Sequence, residues 1–97
     1  MSDRPEPREL KEYVWKHVRE KWEELAIWLG LDEYEESAKK FEEIKENRKD
    51  KESLAANDVL MLWQGCDQAK PSWERLIDAL KKADLIDAVK SIKGYLG

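Results

Sequence analysis

The chain is poor in the residues from which reactive sites are built: it has one Cys, one His and one Phe. Cys66 is alone and forms no internal disulfide. A metal site needs several converging His, Cys or carboxylate ligands, and His17 and Cys66 lie far apart in the sequence. A thiol nucleophile needs a base beside it, and His17 is the only histidine candidate for Cys66. The four Gly are scattered, so there is no Gly-rich loop to cradle a phosphate. The abundant carboxylates fall on solvated faces and define no acid–base pair. These shortages predict no enzyme, no catalytic residue, no metal, no cofactor and no small-molecule substrate. No apolar run approaches the roughly 20 residues that cross a bilayer, which excludes membrane insertion. The opening MSDRPEPREL has no apolar core and is no signal peptide. With a lone thiol, the expected location is cytoplasmic and reducing. A formal charge of −4 supplies no field to draw in phosphates, so nucleic acid is not expected as a partner. Alternating runs of β-branched residues are lacking as well, so no strand is expected.

What is present is strongly binary. Hydrophobic residues make up 41% of the 97 positions and charged residues another 41%, in a length that suits one small domain. Five Trp argue for a folded core, because disordered chains are depleted in aromatics. The pattern centres on residues 71–92. Ser72 is placed to cap a helix whose greasy face is Trp73, Leu76, Ile77 and Leu80, with Lys81 and Lys82 in its last turn. Asp84 is expected to cap the next helix, which carries Leu85, Ala88, Val89 and Ile92. Such one-striped helices must bury their stripes in a bundle.

The preceding chain reads the same way. Residues 1–7 form a frayed lead-in, and residues 8–93 form the domain. A first helix carries Leu10, Tyr13, Val14, His17 and Val18, with His17 either packed or half-exposed, and ends near Arg19 or Glu20. Trp22, Leu25, Ala26 and Leu29 make a second helix, stopped by Gly30 in the left-handed conformation and anchored by Leu31. Asp32 and Glu35 read as a capping box for a third helix marked by Tyr34, Ala38, Phe41, Ile44 and Lys45. After the polar break at 47–53, a fourth helix spans about 54–64, with Ala56, Val59, Leu60 and Trp63 inward and Gly65 at its end. Residues 94–97 are expected to be a frayed tail. Six helices with short links predict an all-α domain.

The spacing of these anchors resembles the death domain. The second helix carries W-x-x-L-A-x-x-L-G-L as Trp22, Leu25, Ala26, Leu29, Gly30 and Leu31. The fourth carries A-x-x-x-L-x-x-W as Ala56, Leu60 and Trp63. The last two carry Trp73, Leu76, Ile77, Ala79 and Leu80, then Leu85 and Asp87. The resemblance implies a six-helix antiparallel Greek-key bundle. It also implies a non-enzymatic module for homotypic assembly with other death-domain proteins in intracellular signalling, in apoptosis or innate immunity. One departure is a longer connection after Gly30-Leu31, which displaces the usual I-x-x-I pair to Phe41-x-x-Ile44. That connection is similar to the kinases acting below Toll and interleukin-1 receptors, and Trp63-Gln64-Gly65 is similar to the adaptor of the same pathway. The alternative reading is an intramolecular structural or autoinhibitory helical module in a larger scaffold.

Three asymmetric contacts follow from the resemblance. The first sets the second helix against the first and fourth, which places Ile27 and Trp28 opposite Asp58 and Met61. Ile27 and Trp28 flank the buried stripe, and are either covered by the long connection or exposed as a hot spot. The second sets Gln64, Asp67 and Lys70 against Lys81, Lys82 and Asp84. The third sets Lys39, Lys40, Glu42 and Glu43 against Arg48, Lys49 and Lys51. The basic cluster Lys45, Arg48, Lys49 and Lys51, interrupted by Glu46 and Asp50, reads equally as a solvated turn or as a recognition patch. For Trp15, flank packing and surface exposure both stay open.

Overall fold

In the computed structural model, residues 3–48 and 50–97 are described. Helix α1 (Pro7–Tyr13) starts on a proline, whose fixed φ suits a first helical position. The Glu9 carboxylate accepts from the Glu6 N–H at 3.0 Å, closing the first turn. Helix α2 (Trp15–Val18) follows after a bend at Val14, whose backbone (φ −118, ψ −49) departs from ideal helix. Leu10, Val14 and Val18 are spaced four apart and all buried, so α1 and α2 act as one bent rod. His17 and Trp15 are half-buried on its edges, and the Trp15 indole donates to the Ser53 carbonyl at 2.6 Å. A 3₁₀ turn (Arg19–Lys21) then redirects the chain, with Arg19 at positive φ, 48°.

Helix α3 (Trp22–Trp28) buries Trp22, Leu25 and Ala26. Its stop is a Schellman motif. Gly30 sits at φ +82, the Leu31 N–H reaches the Ala26 carbonyl at 3.1 Å, and the Gly30 N–H reaches that of Ile27 at 3.0 Å. Helix α4 (Glu35–Asn47) starts later than a box at Asp32 and Glu35 requires, and that box does not form: Tyr34 is the N-cap. Ser37 explains the shift, because its buried hydroxyl donates to the Leu31 carbonyl at 2.6 Å and pins the first turn of α4 to the end of α3.

Helix α5 (Glu52–Gln64) buries Ala55, Ala56, Val59, Leu60 and Trp63 and touches α1, α2, α3 and α4. It is the centre of the bundle. Two adjacent alanines widen its buried face, so neighbours approach from several sides. Helix α6 (Trp73–Lys82) begins at Ser72, whose hydroxyl accepts from the Arg75 N–H at 3.1 Å as expected. Helix α7 (Ile86–Leu96) packs on it. Asp84 does not cap α7; Leu85 holds the N-cap position. Instead Asp84, at φ +60, closes a second Schellman motif, with Leu85 N–H to Leu80 carbonyl 2.8 Å and Asp84 N–H to Lys81 carbonyl 3.1 Å. Lys21 holds this corner by donating to the Ala83 carbonyl at 3.1 Å, with its Nζ 3.9 Å from Asp84.

The described residues near both ends make packing contacts. Residues 94–96 are the last turn of α7, and Tyr95 is stacked on Tyr13 with ring centroids 4.0 Å apart. Its phenol donates to Glu9 at 2.6 Å, and this bond, with burial and the charge of Glu9 adding to it, pushes the Tyr95 pKa up to about 12. In the lead-in, Pro5 is buried. Among the described residues there is no strand, and α1 with α2, then α3, α4, α5, α6 and α7, make six rods around one core. Trp22 meets Phe41 edge-on in that core, with centroids 6.3 Å apart at 89°, a favoured aromatic geometry.

Candidate interaction surface

Among the described residues four large apolar side chains stay exposed: Ile27 (49%), Trp28 (47%), Leu54 (41%) and Ile86 (43%). Ile27 and Trp28 are adjacent and follow from the phase of α3. Leu25, Ala26 and Leu29 take the buried stripe, which turns the next two positions to its flanks. The long α3–α4 connection does not cover them, so of the two readings left open, exposure is the one the fold adopts. Lys82 reaches across from α6, with Nζ 5.3 Å from the Trp28 ring centroid, while pairing with Asp78 at 3.2 Å. The patch is therefore an open aromatic face with a cation at its rim.

Asp58 and Met61, the expected counterpart, lie together on α5. Asp58 already receives the Arg48 guanidinium at 3.0 Å, with both side chains half-buried. Met61 packs against the core. These two line a shallow groove between α4 and α5 with Lys40, Glu43, Ile44 and Arg48, so residues expected in two separate contacts share one site. Met61 also borders a cleft of about 350 Å³ that includes Glu36, Lys40, Cys66 and Asp67.

The second expected surface is partly occupied from within. Arg4 pairs with Asp67 at 2.8 Å, and its guanidinium donates to the Gln64 carbonyl, the Nε bond being 3.1 Å. Lys70 is exposed, at φ 49, at the end of the second 3₁₀ turn (Asp67–Ala69). On the opposing side Lys81 is exposed, Lys82 is engaged as described, and Asp84 faces Lys21. Of the third set, Lys39, Glu43 and Lys51 are exposed, Lys40 sits 3.9 Å from Glu36, and Glu42 pairs with Lys45 at 3.1 Å. Lys49 lies outside the described residues.

Sequence reasoning missed two features. One is Arg4. The other is a shallow groove beside α2, lined by Trp15, Lys16, Arg19, Lys51 and the exposed Leu54. Leu54 falls outside the inward set of its helix, and that was the available signal. Among the described residues no three His, Cys, Asp or Glu gather to hold a metal ion, and no helix is long and apolar enough to cross a membrane. What the surface offers is recognition chemistry: charges of both signs around a few open apolar side chains.

No curated protein and no solved structure matches the chain. The family model described as the death domain does match, over residues 9–96, from the first turn of α1 to the last residue of α7. Six helical rods arranged around one core, with no strand among the described residues, are the all-α bundle of that fold. The chain thus belongs to the death-domain family, whose members are modules of homotypic protein–protein interaction.

Proposed function

We propose that this domain is a non-enzymatic assembly module that binds other death domains, a second copy of itself included, with Ile27 and Trp28 as its anchor. The carrying observation is that these neighbours keep about half their surface open while the apolar residues around them on α3 turn inward. Trp is enriched among residues that dominate binding energy, and an open apolar pair of this kind marks a contact. The receiving site is the α4–α5 groove at Asp58 and Met61. Because Arg48 already neutralises Asp58, that groove accepts an apolar side chain without leaving a buried carboxylate unpaired. Gln64, Asp67 and Lys70 meeting Lys81, Lys82 and Asp84 form a second contact. Lys39, Lys40, Glu42 and Glu43 meeting Arg48, Lys49 and Lys51 form a third.

Each contact joins unlike surfaces, so copies add head to tail rather than closing as a pair. The 40 charged side chains set register and speed encounter, and several weak contacts together supply the affinity. The setting is cytoplasmic signalling in apoptosis or innate immunity, and the similarity to the Toll and interleukin-1 receptor branch favours the latter. Light scattering over a concentration series, at low and high salt, tests the reading. Mass should rise with concentration, and less steeply in salt. A chain that stays monomeric and takes no death-domain partner would support instead a module serving within a single larger polypeptide.

A further inference from the structure

The lead-in is built into the fold at the place where the second contact would form. Asp3 offers its carbonyl to the Trp73 N–H at 2.8 Å, which satisfies a first-turn donor of α6 that Ser72 does not take. Pro5 is buried beside it in sequence and fixes the path. Between them Arg4 reaches back to the end of α5. Gln64 is the last residue of that helix, so its carbonyl stands at the negative end of the helix dipole. Asp67 adds a carboxylate three residues on. A helix-end carbonyl and a carboxylate together make a receptor for a forked cation, and Arg4 fills it with Nη1 2.8 Å from Asp67 and Nε 3.1 Å from the Gln64 carbonyl. The Asp67 side chain is nonetheless 88% exposed. An ion pair so open to water adds little, so the Asp67 carboxylate stays within reach of another cation, while the bonds to the Gln64 carbonyl are part-buried.

We propose that residues 3–6 are a displaceable plug over the α5–α6 corner, and that the corner's other occupant is a basic side chain of a second copy, Lys81 from its α6–α7 turn. Lys81 suits the role because it is exposed and takes part in no ion pair among the described residues, whereas Lys82 is held by Asp78 and the Trp28 ring. The plug sets a threshold: assembly through this corner requires the incoming cation to outcompete one that is already tethered. This inference rests on the proposed self-assembly of the domain.

The test is sedimentation velocity on the full 97-residue chain over a concentration series, with circular dichroism on each variant. Arg4→Ala should assemble at a several-fold lower concentration than wild type. Arg4→Ala combined with Asp67→Ala should lose that gain, since the receiving carboxylate is then absent. Should Arg4→Ala lose helical signal, Arg4→Lys, which keeps a cation but not the fork, takes its place and should give a smaller gain. An unchanged threshold in the Arg4 variant would overturn the plug. A gain that survives removal of Asp67 would overturn it as well. If wild type still assembles and Trp28→Glu still prevents this, such a failure leaves the assembly reading standing. If no variant assembles at any concentration, both fall.

Discussion

The Tyr95 phenol donates to the Glu9 carboxylate at 2.6 Å, joining the last turn of α7 to the first turn of α1 across 86 residues. The same carboxylate caps the Glu6 N–H, so one side chain ties both ends of the domain together. The bond's contribution to stability also depends on alkaline pH. Tyr95 holds its proton more tightly when folded, with its pKa raised from 10.0 to about 12 by Glu9. A raised folded value means that this stabilisation is complete below pH 10.0 and is lost as pH climbs through about 12. Tyr95→Phe should therefore be less stable than wild type at neutral pH, with the gap in urea midpoint narrowing as pH passes 10.0. A constant gap would mean that the bond does not titrate with folding.

Trp73 is almost fully buried, with its ring centroid 6.2 Å from that of Tyr95. Trp73→Ala should cost about 3–5 kcal/mol, the usual range for truncating a buried aromatic. Chemical denaturation at constant m-value measures it.

Ser72 supplies the side-chain cap of α6. Ser72→Ala should cost about 1 kcal/mol, because the Arg75 N–H loses its acceptor. The thermal midpoint is the readout, and Ser72→Asp should restore it.

Arg19 stands at φ 48, ψ −127, a conformation that side chains other than glycine rarely adopt. Arg19→Gly should raise stability by about 1 kcal/mol: the relieved strain is partly offset by the extra freedom glycine gains when unfolded. A loss of stability would mean that contacts made by Arg19 outweigh its backbone strain.

Stops and stripes were legible because they are local. Trp22, Leu25, Ala26 and Leu29 mark one face within two turns, and Gly30 with Leu31 ends it by rules that act over six residues. The exposure of Ile27 and Trp28 was half legible: their phase put them off the stripe, but whether the next connection covers them depends on the path of α4. Asp84 was misread because a carboxylate suits both an N-cap and a left-handed turn, and Lys21, which donates into that corner from 62 residues away from Ala83, is invisible to local pattern. The same holds for the ends. Nothing near Tyr95 in sequence announces Glu9, and nothing near Arg4 announces Asp67, 63 residues on. The central place of α5 escaped notice because a helix's stripe tells how much it buries, not how many neighbours share it.

The claim that the open face of α3 is an anchor for another copy is tested most directly by Trp28→Glu, followed by sedimentation velocity and circular dichroism on the same samples. The substitution removes an exposed ring and its contact with Lys82, so the fold should keep its helical signal and lose less than about 1 kcal/mol, while association falls to monomer at concentrations where wild type assembles. A variant that unfolds would make Trp28 a core residue, and one that assembles as wild type does would place the anchor elsewhere on the surface.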